Sequence, residues 1–204
     1  FNISDYIDEK KDITLIIDLI KKGSNLLIIG GTGTGKTSLL NKLIEYIDLK
    51  ERIIAIQDSP ELIIPHKNKD ELMVSKNGSN ISNLDYKSAL DLSMRMRPDR
   101  ILLGEIDSVN TLAFLRLGNT GHKGMVSTLH TNSPLDTLNA LQLNLMLNGF
   151  TSNKKALNGF ISSAIDYVIK VQRIGKFEKK VTEIKTIKEI IEEESKLNEK
   201  DNHE

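Results

Sequence analysis

Residues 25–37 read Asn25-Leu26-Leu27-Ile28-Ile29-Gly30-Gly31-Thr32-Gly33-Thr34-Gly35-Lys36-Thr37. A short apolar run between Gly23 and Gly30 has the form of a strand buried on both faces of a parallel sheet. Gly30 to Thr37 then fits the spacing Gly, four residues, Gly, Lys, Thr. Phosphate chemistry sets that spacing. Several backbone N–H groups must point into one concavity, and side chains would block the anion. A helix expected over about Lys36 to Tyr46 adds positive potential at its N-terminus. The stretch therefore arranges Gly31, Thr32, Gly33, Thr34, Gly35, Lys36, Thr37 and Ser38 around a nucleoside triphosphate. Lys36 is expected to reach the β- and γ-phosphate oxygens, and the Thr37 hydroxyl to ligate Mg²⁺. An Asn-Lys-x-Asp guanine reader is missing, since Asn68-Lys69-Asp70-Glu71 ends in Glu and Asn153-Lys154-Lys155-Ala156 in Ala. The expected nucleotide is ATP, with Mg²⁺.

Strands alternate with helices on either side of this stretch. Asp12 to Lys22 is apolar in every turn and stops at Lys21-Lys22-Gly23, with cations on the last carbonyls and Gly just after. Arg52 to Ile56, Arg100 to Leu103 and Met125 to Leu129 read as further strands. Asp85 to Arg95 and Ser108 to Leu117 read as helices. Ser133-Pro134 opens another helix with a capping residue and Pro at its first position. Leu135, Leu138, Leu141 and Leu145 share one face of it. Asn77, Gly78, Ser79, Asn80, Ser82 and Asn83 mark a loop. This pattern predicts an α/β fold, a mainly parallel twisted sheet with helices on both faces.

The chain has 204 residues, the size of one domain, or of one domain plus a tail. Residues 1–184 are read as the domain. The composition turns to Lys and Glu in 185–204, which are expected to be a charged tail, either a short helix or disordered. Ile187, Ile190 and Ile191 offer one apolar stripe there, but a frayed, solvated end is the expectation. Lys+Arg and Asp+Glu are both 28. That balance argues against specific nucleic-acid binding through phosphate neutralisation. No cysteine is present, which excludes disulfides, thiolate metal sites and thiol catalysis. No apolar run approaches the ~20 residues of a membrane-spanning helix. The chain opens on Phe1 rather than Met, which fits either an added tag or a piece of a longer protein.

A P-loop enzyme needs acids at the ends of neighbouring strands. The strand at 101–103 runs into Gly104-Glu105, which places Glu105 for metal coordination or for orienting a nucleophile. The strand at 53–56 runs into Gln57-Asp58-Ser59-Pro60-Glu61. Ligands of parallel sheets lie beyond the carboxyl ends of strands, so Asp58 and Glu61 face the same crevice. His122 and His130 bracket the strand at 125–127. His130, at its carboxyl end, is the one placed to sense a γ-phosphate. His66 and His203 have no such context.

These segments together resemble the type II/type IV secretion ATPase superfamily, most closely its type IV secretion traffic ATPases. The likeness runs from about Gly23 to Ile169. It rests on the P-loop at 30–37, an aspartate box from Arg52 to Glu61, and a Walker B segment from Arg95 to Glu105. A histidine box of Thr120 to Gly124 and Ser127 to His130 completes it. The resemblance implies a RecA-like ATPase domain that works in a hexameric ring. It further implies other secretion-machinery proteins as partners, and a cytoplasmic location peripheral to the bacterial inner membrane. It assigns Glu61 and Glu105 to hydrolysis and His130 to the terminal phosphate; the metal stays with Thr37, and with Glu105 through water, as read from the P-loop and the strand end.

Two residues depart from the family pattern. Gln57 stands where the aspartate box usually has Glu, and Asp107 stands where an Arg is usual. The N-terminal domain of the family, which supplies arginines to the nucleotide, has no counterpart in the short stretch before the P-loop. The four-cysteine zinc insert of type II enzymes is missing, which favours the type IV side. A pilus-retraction motor stays open, as does a nucleotide-binding scaffold without turnover. A small-molecule kinase would need an acceptor pocket and a lid, for which no segment qualifies. Arg95 or Arg97 is expected either to reach a neighbouring subunit's nucleotide or to pair internally with Asp99.

Overall fold

The computed structural model describes residues 3–7, 9–75, 84–176 and 178–201. A 3₁₀ turn at Ile3–Asp5 precedes α1 (Lys10–Lys22), β1 (Leu26–Ile29) and α2 (Lys36–Ile44). Next come β2 (Ile53–Gln57), β3 (Lys69–Met73), α3 (Tyr86–Arg95), β4 (Arg100–Leu103), α4 (Thr111–Asn119) and β5 (Val126–Leu129). The chain continues with α5 (Pro134–Leu147), α6 (Lys154–Ala164), β6 (Tyr167–Arg173), β7 (Lys179–Thr186) and α7 (Ile187–Asp201). One sheet holds all seven strands in the order β3-β2-β4-β5-β1-β6-β7. Every pairing is parallel except β6 with β7. The loop expected around Asn77 to Asn83 lies outside the described residues.

Strand alternation divides the core in two. Leu27, Ile29, Ile56, Ile101 and Leu103 face one cluster with Leu90, Phe114, Leu138 and Ile161 from α3, α4, α5 and α6. Leu26, Ile28, Ile53, Ala55 and Leu102 face the other, with Ile16 and Ile20 of α1 and Leu39 and Leu43 of α2. The strands nearest the middle are therefore buried on both sides, which is why they read as unbroken apolar runs. Among the described residues no helix is long and apolar enough to cross a membrane.

Arg100 ties this framework to α1. Its guanidinium donates to both Glu51 carboxylate oxygens, at 2.5 and 3.0 Å, and to the carbonyls of Ile20 and Lys21 at the end of α1. A cation thus meets the negative end of the helix. Gly124, at φ +71, leaves room for that side chain.

Local features differ from the sequence expectations. Helix α4 starts at Thr111, not Ser108, because 107–110 fold as a side-chain-bonded turn. Asp107 Oδ1 accepts from the N–H groups of Val109 and Asn110, while Asn110 Oδ1 accepts from Asp107 N. Such bonds compete with the helix ladder. Strands β3, β6 and β7 and helix α6 have no counterpart in those expectations.

Residues 187–201 are a docked helix rather than a frayed tail, and β7 extends across the expected boundary at 184 to Thr186. Ile187 and Ile190 are buried in the larger core. Glu194 is buried too, and accepts from Gln142, Asn158 and Lys154. Thr186 and Glu189 form a reciprocal cap. Thr186 N and Oγ1 donate to Glu189 Oε2 at 2.7 and 2.8 Å, and Glu189 N donates back to Thr186 Oγ1 at 3.2 Å.

Candidate functional site

The carboxyl ends of β1, β2, β4 and β5 open on one crevice of about 380 Å³. The glycine loop 30–35 forms one wall. Gly30, Gly33 and Gly35 have φ of 155°, 73° and 94°, which lie in the region that favours glycine. A Cβ at Gly30 would also collide with the carbonyl of Val171 on β6. Thr34 Oγ1 donates to the Gly31 carbonyl at 2.9 Å and pins the turn. Gly33, Gly35, Lys36, Thr37 and Ser38 line the crevice. Gly31 and Thr34 shape the loop behind them, and Thr32 is exposed on its outer side.

Lys36 is 6% exposed. Its ammonium donates to the carbonyls of Gly30 at 2.9 Å and Gly31 at 3.0 Å, and to His130 Nδ1 at 3.1 Å. A lysine has only donors, so His130 Nδ1 is the acceptor and Nε2 carries the ring proton; this tautomer follows from the partners. That Nε2 lies 3.5 Å from Glu105 Oε1. Burial holds the Lys36 pKa below the usual lysine value, and the Glu105 charge opposes the shift. A continuous line of Lys36, His130 and Glu105 therefore crosses the floor of the crevice.

Glu105 is placed by β4 and its neighbours. Gly104 N donates to Ile56 O, Thr128 Oγ1 donates to Gly104 O at 2.8 Å, and Asn110 Nδ2 donates to Glu105 O at 3.0 Å. Asp107 points its bonds into its own turn, as described above. Behind the acids Tyr86 is buried. Burial, then the charges of Asp58 and Asp107, push its hydroxyl well above the usual phenol range.

Glu61 lines the same crevice, carried by the segment after β2. Gln57 Oε1 accepts from Glu61 N and Leu62 N. From the P-loop helix, Asn41 Nδ2 donates to Glu61 O and Asn41 Oδ1 accepts from Ile63 N, both at 2.9 Å. Asp58 also lines the crevice.

The structure thus brings Lys36, Thr37, Ser38, Asp58, Glu61, Glu105 and His130 together. His122 lies at the other end of β5, where its carbonyl accepts from Asn25. Arg95 and Arg97 are exposed. Among the described residues no ion pair joins Arg95 or Arg97 to Asp99, whose carboxylate accepts from Arg52 N at 2.7 Å; the buried arginine is Arg100. Gln57, Asn41 and Thr128 hold the site through bonds to backbone; Gln57 and Thr128 lie inside the aspartate and histidine boxes without a role read from them, and Asn41 lies outside every box. Lys179 also lines it, from a strand outside the expected set.

The oxygen donors fit a hard divalent cation: the Thr37 hydroxyl and the Glu105 carboxylate face one space. Among the described residues no group of three or more His, Asp or Glu could hold a metal by itself. A cation here would therefore be shared with phosphate oxygens, as is usual for Mg²⁺.

The family model described as "Type II/IV secretion system protein" matches residues 2–201. The chain belongs to the type II/IV secretion system protein family. Among relatives of this secretion family, the type IV secretion system protein VirB11 of Bartonella henselae is 37% identical over 179 residues, 86% of this chain and 50% of that protein. Protein VirB11 of Rhizobium radiobacter is 38% identical over 146 residues, 71% of this chain and 43% of that protein. The chain spans about half the length of these relatives. Its fold is similar to that of the VirB11 ATPase from the Brucella suis type IV secretion system, solved with sulphate. The TM-score is 0.79 at 23% identity, over 88% of this chain and 53% of that one. The pilus retraction motor PilT, solved with bound ADP, aligns at a TM-score of 0.68 and 21% identity, over 95% of this chain and 57% of that one. The secretion-family assignment agrees with the resemblance carried by the four sequence boxes, and the shared fold with the predicted P-loop α/β architecture.

Proposed function

We propose that this chain is the nucleotide-hydrolysing part of a type IV secretion motor, which uses ATP with Mg²⁺ to drive substrate transfer or pilus assembly. The observation that carries the reading is the convergence of a P-loop lysine, two carboxylates and a histidine on one crevice. A triphosphate entering the cradle draws Lys36 Nζ from the Gly30 and Gly31 carbonyls to the β- and γ-phosphate oxygens. His130, released from Lys36, turns a ring N–H to the terminal phosphate. Thr37 and Glu105 are the residues that would hold Mg²⁺, which when bound would offset charge on the phosphate oxygens. Glu61 orients and deprotonates the attacking water, and Glu105 steadies its approach. Positioning and electrostatics therefore carry the rate.

The two departures from the family pattern leave this chemistry intact. Gln57 presents an oxygen to two N–H groups, a task that needs an acceptor and no charge. Asp107 caps a turn. Neither observation favours a scaffold without turnover. The VirB11 relatives support the secretion role over retraction. On this proposal the full protein self-associates into a hexameric ring and works with other secretion proteins at the cytoplasmic face of the inner membrane. Single-turnover hydrolysis of MgATP tests the reading. Glu105→Gln should retain nucleotide affinity and lose turnover, because the amide cannot carry the charge that holds the cation's water. Parent-level turnover in that variant, with normal folding, would make Glu105 only a strand-end acid.

A further inference from the structure

A second lysine reaches the cradle from the return strand, and the sheet register puts it there. Strand β6 pairs with β1 up to Lys170 opposite Ile29. It then runs on beside the glycine loop, with the Val171 carbonyl against Gly30. The antiparallel partner of Arg173 is Lys179, so β7 begins above that loop. The Lys179 stem covers Gly35. A Cβ on Gly35 would lie 2.7 Å from Lys179 Cδ and 3.3 Å from its Nζ. Lys179 also stands between two spaces. It lines the phosphate crevice with Lys36 and Ser38. With Ser38, Tyr6 and Lys176 it lines an adjoining cavity of about 630 Å³.

The two lysines serve different ends of the cradle. Lys36 Nζ lies on the side of His130 and Glu105. Lys179 lies beside Gly35 and Ser38, where the loop enters α2 and P-loop N–H groups cradle the α- and β-phosphates. We propose that Lys179 binds the α- and β-phosphates of the nucleotide, the part that ATP and ADP share. The proposal rests on the nucleotide reading above.

Calorimetric titration of this chain with MgADP and with MgATP tests it. Lys179→Met keeps the stem over Gly35 and removes the charge; it should weaken both nucleotides by the same factor, roughly tenfold, the worth of one partly solvated charge-assisted hydrogen bond. Lys179→Gln is a second neutral variant and should lose the same factor. Lys179→Arg keeps the charge and should stay within about threefold of the parent. Unaltered affinity in both folded neutral variants, with binding lost in Lys36→Ala, would overturn the role of Lys179 and leave the cradle standing. A loss confined to MgATP would also overturn it, since the contact would then be to the γ-phosphate. A parent chain that binds neither nucleotide would remove the nucleotide reading, and the role of Lys179 with it.

Discussion

The side-chain oxygen of Gln57 accepts hydrogen bonds from the backbone N–H groups of Glu61 and Leu62, both at 3.0 Å. Gln57 is 1% exposed and stands at the end of β2. A buried residue of the sheet therefore fixes the backbone that carries Glu61. Its Nε2 lies 3.4 Å from Glu71 Oε2 on the neighbouring β3.

This division of labour separates two substitutions. Glu61→Gln should cut single-turnover hydrolysis by roughly 10²–10⁴-fold, the usual cost of losing a general base. Gln57→Glu preserves the acceptor oxygen but sets a second carboxylate against Glu71. It should leave turnover within about threefold and raise the pKa of one of the pair. A large gain from Gln57→Glu would instead mean that the chain has given up a catalytic acid.

Asn41 makes the opposite tether, from α2 to the Glu61 carbonyl and the Ile63 N–H. Asn41→Ala removes both bonds while leaving the glutamate in place. Turnover should fall about 10- to 100-fold through misplacement alone. MgATP affinity, measured by calorimetry, should stay within about twofold, because Asn41 touches neither cradle nor cation site. Equal losses in affinity and turnover would show that the tether shapes the P-loop instead.

Lys36 gives a pH signature. Its pKa in the folded chain is below the ordinary 10.5, because burial penalises the ammonium. Between the lowered value and 10.5 the unfolded chain binds a proton that the folded chain has released. Stability therefore rises with pH across that window, and below it the buried charge is a constant cost. Lys36→Met lacks this contribution. The melting temperature of the parent relative to Lys36→Met should therefore be higher near pH 10 than near neutral pH. A difference that does not change with pH would contradict the burial effect.

Much of the candidate nucleotide site was legible in the sequence, because its chemistry depends on local spacing. Glycines, Lys36 and Thr37 lie within one turn, and Glu105 and Glu61 follow apolar runs that announce their strands. The supports were not legible. Asn41 and Thr128 act through bonds to backbone atoms 20 or more residues away, and Gln57 acts on the backbone four and five residues on, through a turn that no local pattern marks. β3 reads Lys69-Asp70-Glu71-Leu72-Met73, an edge strand whose charges face solvent and hide the alternation. β7 is similarly charged, at the opposite edge. In α6, Gly159, Ser162 and Ser163 weaken the helical signal. The α7 start did carry a signal: Thr186-Ile187-Lys188-Glu189 has capping-box spacing just before an apolar stripe.

That cap yields a fourth prediction. Thr186→Ala should destabilise the fold by about 1 kcal/mol, the usual worth of an N-cap. For a domain of this size that lowers the melting temperature by about 2–4 °C. The Thr186 N–H and hydroxyl also hold the Glu189 carboxyl below its usual range. This part of the stability is present above pH 4.5 and lost as pH falls through the lowered value. Thr186→Ala should therefore flatten the acid side of the stability profile. An unaltered profile and melting temperature would mean that α7 is held by Ile187, Ile190 and Glu194 alone.

Titration of MgATP into the parent chain and into Lys36→Ala tests most directly whether the crevice at the ends of β1, β2, β4 and β5 is a nucleotide site. Lys36 is the cation proposed to meet two phosphates, so its loss should weaken binding by about 10- to 100-fold while the chain stays folded. Equal affinity in parent and variant would place the nucleotide elsewhere, and the roles given to Glu61, Glu105 and His130 would fall with it.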